Sequence, residues 1–219
     1  MDVGGGFGVK LHVYADEMAT VLASRVLGRP VKYIATRSEA FQSDAQAREF
    51  EVSAAIHLAA NGALVGMTGE FENSIGAYSI YPRSSVGDAI QAATQLGAPY
   101  KLDGMKTLAR TFWRNKPPSG AIRGVGQPIP CVVTEQLMDM AARHLGEDPV
   151  DYRRKHYLEA GSFPLTTLGG IYMDQLSLTE CLDTLTEAMD YAAISDGQQR
   201  LLSLIHISEP TRQAEMSYA

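Results

Sequence analysis

The chain has 219 residues, 45% of them hydrophobic and 20% charged, with a formal net charge of −6. That length admits one large domain or two small ones, and the composition argues against disordered, fibrous and collagen-like chains. The acidic balance speaks against a nucleic-acid binder. No apolar run approaches the roughly 18 residues of a membrane span, and the start MDVGGGFGVK lacks a secretory pattern.

In chain order, a glycine loop at residues 4–8 feeds an apolar-periodic stretch from Val13 to Leu27 that stops at Gly28-Arg29-Pro30, as a loop entering a helix does. Val31 to Ala35 reads as a strand. Glu49 to Ala59 and Ala63 to Glu72 read as two longer strands, and Asn61-Gly62 between them predicts a hairpin. A short helix is expected from Ser85 to Leu96, then a strand from Lys106 to Trp113. A second glycine-rich loop, residues 117–128, leads into a long helix from Pro130 to Leu145. Its apolar positions are Val133, Leu137, Met140, Ala141 and Leu145, and Gly146 closes it. Asp148-Pro149 starts another helix with Asp at the cap and Pro in the first turn. After a Gly/Thr-rich link at residues 161–170, a last helix is expected from Ser177 to Tyr191. The pattern defines an α+β chain with a helix-flanked, mixed and mostly antiparallel sheet.

Few side chains stand in a catalytic pattern. Lys101, Lys106, Arg110, Arg114 and Lys116 cluster around the single acid Asp103, and read as a solvated face before an anionic pocket. Cys131 and Cys181 have no CxxC or His-rich neighbourhood, so reduced thiols in a cytoplasmic chain are expected. Glu135 and Asp139 share one helix face, where a solvated or dipole-favoured position outweighs a carboxylate pair. His12, His57, His144 and His156 are scattered singly, without ligand spacing.

The two glycine loops carry the chemical signal. Glycine loops before helices bring backbone N–H groups close to an anion, although a tight turn accounts for glycine there as well. The phosphate-loop pattern fails, with Val9 where its last Gly belongs and Leu11 where Ser or Thr belongs. No G-x-G-x-x-G reads in register either.

The run Asp2-Val3-Gly4-Gly5-Gly6-Phe7-Gly8-Val9-Lys10, followed by Arg29-Pro30-Val31-Lys32 and Thr36-Arg37-Ser38-Glu39, resembles the molybdenum-binding large subunit of the xanthine dehydrogenase, aldehyde oxidase and carbon monoxide dehydrogenase family. Gly76-Ala77-Tyr78, Tyr100-Lys101, Ala121-Ile122-Arg123-Gly124-Val125-Gly126-Gln127-Pro128, Glu135-Gln136-Leu137-Met138-Asp139 and Leu145-Gly146-Glu147-Asp148-Pro149 follow in the family's order. The resemblance covers residues 2 to about 200. It implies a molybdenum-dependent hydroxylase that inserts water-derived oxygen at a substrate carbon. It also implies molybdopterin, in its cytosine dinucleotide form, as cofactor. The expected partners are a 2Fe-2S iron–sulfur small subunit and a FAD-binding medium subunit, which take up the electrons.

By the same resemblance, the backbone at Gly5, Gly6, Phe7 and Gly8 meets the metal's oxo side, and Arg123 with Gly124 closes over the pterin end. Leu11, Gln91 and Val125 stand where purine-oxidising members place a glutamate, an arginine and a phenylalanine, so the substrate pocket suits an aldehyde or an N-heteroaromatic rather than an oxypurine. Gly124 replaces the copper-binding cysteine of true carbon monoxide dehydrogenases, and His156 an asparagine usual in the family. The family's general-base glutamate is expected beyond this fragment, so no catalytic residue is assigned within it. A rival reading, motivated by the altered pocket positions, is a non-catalytic scaffold that keeps the fold for partner contact.

The domains are expected as 1–158, a partial first molybdopterin-binding domain, and 159–201, a linker with the start of a second. Residues 202–219 contain Leu202-Ser203-Leu204-Ile205-His206-Ile207-Ser208-Glu209-Pro210-Thr211-Arg212, which is similar to translated sequencing adapter and implies a non-native tail. Alone, the chain is expected to hold no molybdenum, to turn over no substrate and to self-associate through the stripe Leu178, Leu182, Leu185 and Met189.

Overall fold

A computed structural model describes residues 4–197; the adapter-like tail lies outside them. Helix α1 (Ala15–Leu27) follows a short 3-10 turn at Val9–Leu11, and ends where Gly28 takes the left-handed conformation at φ 64°. Residues 31–35 form no strand: among the described residues none pairs with them, so β-propensity alone does not make a ladder. Helix α2 (Arg37–Ser43) comes next. Its start is a capping box, in which the Glu39 amide donates to Thr36 Oγ1 and the Thr36 amide donates to the Glu39 carboxylate.

Strands β1 (Phe50–Leu58) and β2 (Leu64–Gly76) form the expected antiparallel hairpin around Asn61-Gly62, with Gly62 at φ 84°. Helix α3 (Gly87–Thr94) then returns the chain to the start of β2, so β3 (Gly104–Trp113) pairs with β2 in parallel. Residues 77–103 are long enough for such a crossover, which a tight turn cannot make. The sheet order is β1-β2-β3, and its mixture of pairings agrees with the sequence reading. Helices α4 (Pro128–Leu145) and α5 (Pro149–His156) follow, the latter capped by Asp148, whose carboxylate accepts from the Val150 and Asp151 amides. A two-residue ladder of β4 (Leu165–Thr166) and β5 (Tyr172–Met173) precedes α6 (Leu178–Ala188).

The core lies between β2, α3 and α4. Met67 and Phe71 of β2 pack with Ala92, Leu96, Leu137, Met138, Ala141, Ala142 and Tyr152. On α4 the buried face is Thr134, Leu137, Met138, Ala141 and Ala142, a clean helical stripe. Val133 and Leu145 border it, and Met140, expected inward, is exposed. Glu135 and Asp139 on the same helix are tied up by Arg153 of α5, at 2.6 and 2.8 Å, and the Tyr100 hydroxyl donates to Glu135. That network clamps α5 to α4. In the basic cluster, Arg110 pairs with Glu70 and Glu72, and Lys116 pairs with Glu49, in keeping with a solvated face.

Helices α1, α2 and α6 have no buried residue. On α1, Met18, Val21, Leu22, Val26 and Leu27 are all more than half exposed; on α6, Leu185 and Met189 are exposed while Leu178 and Leu182 are half-buried. Apolar faces of this extent drive association in water. The chain alone is expected to self-associate by light scattering, and charged substitutions at Val21 and Val26 should reduce it. A monodisperse monomer would contradict the expectation.

Candidate functional site

The two glycine loops, more than a hundred residues apart in sequence, lie side by side. The Arg123 amide donates to the Phe7 carbonyl at 2.7 Å, and the Ala121 amide donates to Nε2 of His12 at 2.7 Å. The approach is close enough to require glycine. Gly8 sits at φ 91°, and a Cβ there would stand 2.8 Å from the Ala121 carbonyl oxygen. Under the second loop, a Cβ on Gly126 would collide with the Asp88 backbone carbonyl.

His12 is the pin of this junction. It is 3% exposed, and because Nε2 accepts the Ala121 N–H, the neutral ring carries its proton on Nδ1. Burial lowers its pKa and the nearby Arg83 cation lowers it further, against the raising effect of the Tyr81 carbonyl. Protonation of Nε2 would remove the acceptor that holds the second loop. Sequence reasoning left His12 among the scattered histidines, since a lone histidine after a loop carries no spacing signal.

Of the sequence-predicted site residues, Phe7, Gly5, Arg123 and Gly124 lie at the exposed surface of the joined loops, with Gly6 and Gly8 half-buried. Phe7 and Val125 both hold positive φ, 48° and 49°, which side chains other than glycine rarely adopt. Such outliers mark positions that the surrounding structure over-determines. The amides of Phe7, Gly8 and Gly124 donate to no acceptor among the described residues. Gln91, on α3, reaches the second loop: its Oε1 accepts from the Gly126 amide at 3.2 Å. Gln91 and Val125 therefore belong to one neighbourhood, whereas Leu11 stands exposed at the end of the first turn.

Two further residues complete the site. Arg48, two residues before β1, donates to carbonyls of residues 122, 123 and 125. Asp88, at the first turn of α3, is 1% exposed and its Oδ2 has no partner among the described residues. Burial pushes its carboxyl up to about 6, against the pull of Arg83 and Arg48. Neither residue falls in a motif; only the fold brings them beneath the loop.

The two joined glycine loops thus present, on a mixed α/β domain, N–H groups without an acceptor among the described residues and an exposed arginine, Arg123. The chain belongs to the molybdopterin cofactor-binding domain family, whose model matches residues 1–157. It is 34% identical to the nicotine 6-hydroxylase large subunit of Paenarthrobacter nicotinovorans over 194 residues, covering 88% of this chain and 23% of that one. It is 32% identical over 182 residues to the xanthine dehydrogenase molybdenum-binding subunit of Escherichia coli O157:H7, 83% of this chain and 23% of the relative. The fold superposes on quinoline 2-oxidoreductase from Pseudomonas putida 86 with a TM-score of 0.86 and 29% identity, over 92% of this chain and 26% of that one. The chain thus spans about a quarter of the length of these relatives.

Two consequences are measurable. Replacing His12 with Phe leaves the buried Ala121 amide without an acceptor, and should destabilise the chain by about 1–3 kcal/mol in urea denaturation. Unchanged stability would show that the junction does not depend on this bond. For Asp88, the folded chain keeps the proton up to about pH 6, whereas an unfolded carboxyl releases it near 3.8. Its contribution is therefore most favourable below about pH 4 and is lost as pH rises through 6, by about 3 kcal/mol in all. The stability difference between the parent chain and Asp88→Asn should shift against the parent by about 2–3 kcal/mol between pH 4 and 7. A difference flat with pH would contradict the assignment.

Proposed function

We propose that this chain is the cofactor-holding part of a molybdenum hydroxylase large subunit that oxidises an N-heteroaromatic or aldehyde substrate. The observation that carries the reading is the pair of loops pinned together by His12 and Phe7, presenting the amides of Phe7, Gly8 and Gly124, with Arg123 exposed in the second loop. This cradle fits an anionic molybdopterin: the donors have no acceptor among the described residues, and glycine at position 8, at positive φ, lets the first loop close against the Ala121 carbonyl of the second. When bound, molybdopterin supplies the redox chemistry by which oxygen from water enters the substrate carbon.

The protein's own part is holding and orienting. Phe7 and Gly8 donate from the first loop. Gly124 and Arg123 do so from the second, where the guanidinium balances the cofactor's negative charge. Val125, with Leu11 at the edge of the first turn, gives the substrate side an apolar character that suits a flat aromatic ring or an aldehyde. The nicotine and quinoline enzymes among the similar proteins support the N-heteroaromatic side of that choice. In this reading the cofactor is the cytosine dinucleotide form, the electrons pass to iron–sulfur and FAD partner subunits, and the complex works in the cytoplasm. None of the acids beside the loops takes the general-base role, since Asp88 lies buried beneath them. The retained cradle argues against the scaffold reading.

The test is to express the complete subunit with its partners and measure molybdenum and pterin content, then hydroxylation of N-heteroaromatics and aldehydes. Stoichiometric molybdenum in the parent is expected, with severe loss in Gly8→Val, whose side chain meets the Ala121 carbonyl. A parent complex that purifies without molybdopterin under adequate supply would overturn the proposal.

A further inference from the structure

Arg48 has no role in the family resemblance and lies in no motif, yet its guanidinium gathers three carbonyls from one turn. Nε donates to Val125 at 3.0 Å, and one terminal nitrogen donates to Ile122 at 3.1 Å and also to Arg123. Arg48 forms no salt bridge among the described residues. Its own backbone is held at φ 62°, so the residue is kept in an unfavourable conformation while it makes this reach.

The direction of the bonds has a consequence for the opposite side of the turn. In a trans peptide the C=O and N–H point to opposite sides. With the Arg123 carbonyl drawn toward Arg48, the Gly124 N–H is aimed away from it, and that N–H finds no acceptor among the described residues. The neighbouring amides are already used: Val125 donates to the Ile122 carbonyl and Gly126 to Gln91. Val125 is β-branched and sits at φ 49°, a conformation that the turn does not hold without support. The fork of the guanidinium supplies that support by fixing the carbonyls on either side of Gly124.

We propose that Arg48 is a positioning residue that sets the second loop so that the Gly124 amide faces the cofactor; the inference rests on the cofactor reading above. Arg48 touches neither cofactor nor substrate in this account. A lysine at this place offers a compact ammonium instead of a planar fork and cannot span the three carbonyls in the same geometry. Glycine at 125 adopts positive φ without strain, so it relieves the dependence on Arg48.

The test uses residue-resolved amide exchange on the 219-residue chain, for the parent, Arg48→Met, Arg48→Lys and the double variant Arg48→Lys with Val125→Gly. Exchange at Val125 and Gly126 should accelerate by roughly an order of magnitude in both single variants, the effect of losing a hydrogen bond or two. Amides of β2 and α4 should keep their protection, and the double variant should recover most of the loop's protection. In the complete cofactor-loaded subunit, Arg48→Lys should release molybdopterin faster on dialysis. If Arg48→Met fails to fold, Arg48→Lys and its double variant decide the matter. Unchanged loop exchange in Arg48→Lys, or a loss spread evenly over β2 and α4, overturns the proposal. A parent subunit without molybdopterin would instead defeat the cofactor reading while leaving the loop measurement standing.

Discussion

The acceptance of the Ala121 amide by a buried neutral histidine is the constraint on which the site depends. Without it, the backbone bond from Arg123 to Phe7 is what joins the two loops among the described residues. A buried imidazole accepts at one nitrogen only while neutral, and the burial that lowers His12's pKa favours that form. Burial, tautomer and loop geometry are thus one condition. The hairpin and the β2-α3-β3 crossover serve it by fixing where the second loop leaves the body.

The molecule divides its stability accordingly. Phe71, Met67, Leu96, Met138 and Tyr152 are almost fully buried and form a tight block of strand and helix. The loops store the unfavourable conformations: Phe7, Arg48 and Val125 all hold positive φ. Strain of this kind persists where a rigid neighbour over-determines it, and here the neighbours are β1, α3 and the start of α4. Asp88 adds a second unfavourable element, a carboxyl buried beneath the loop whose desolvation the charges of Arg83 and Arg48 only partly offset.

Much of this was legible in the sequence, for reasons that are local. Asn61-Gly62 needs positive φ and gave the hairpin; Gly28 and Gly146 gave the ends of α1 and α4; Asp148-Pro149 gave the start of α5. Thr36 and Glu39 spelled a capping box, a readable helix start that sequence reasoning passed over because the residues were noted only for their family resemblance. Residues 31–35 have strand-like composition but lack a partner, and pairing is a property of the fold rather than of the segment. The glycine loops were legible as tight turns that approach other backbone closely. His12, Arg48, Asp88 and the hold of Gln91 on Gly126 were not, because each works through a contact across 35 to 109 residues of sequence.

The central claim is that the two loops form a single cradle whose uncommitted amides hold molybdopterin. A crystal structure of the complete subunit with its cofactor tests this most directly. The account predicts that the amides of Gly8 and Gly124 both lie within hydrogen-bond distance of cofactor oxygens, with His12 Nε2 still bound to the Ala121 amide. A cofactor seated away from either loop, or a junction broken on binding, would contradict it.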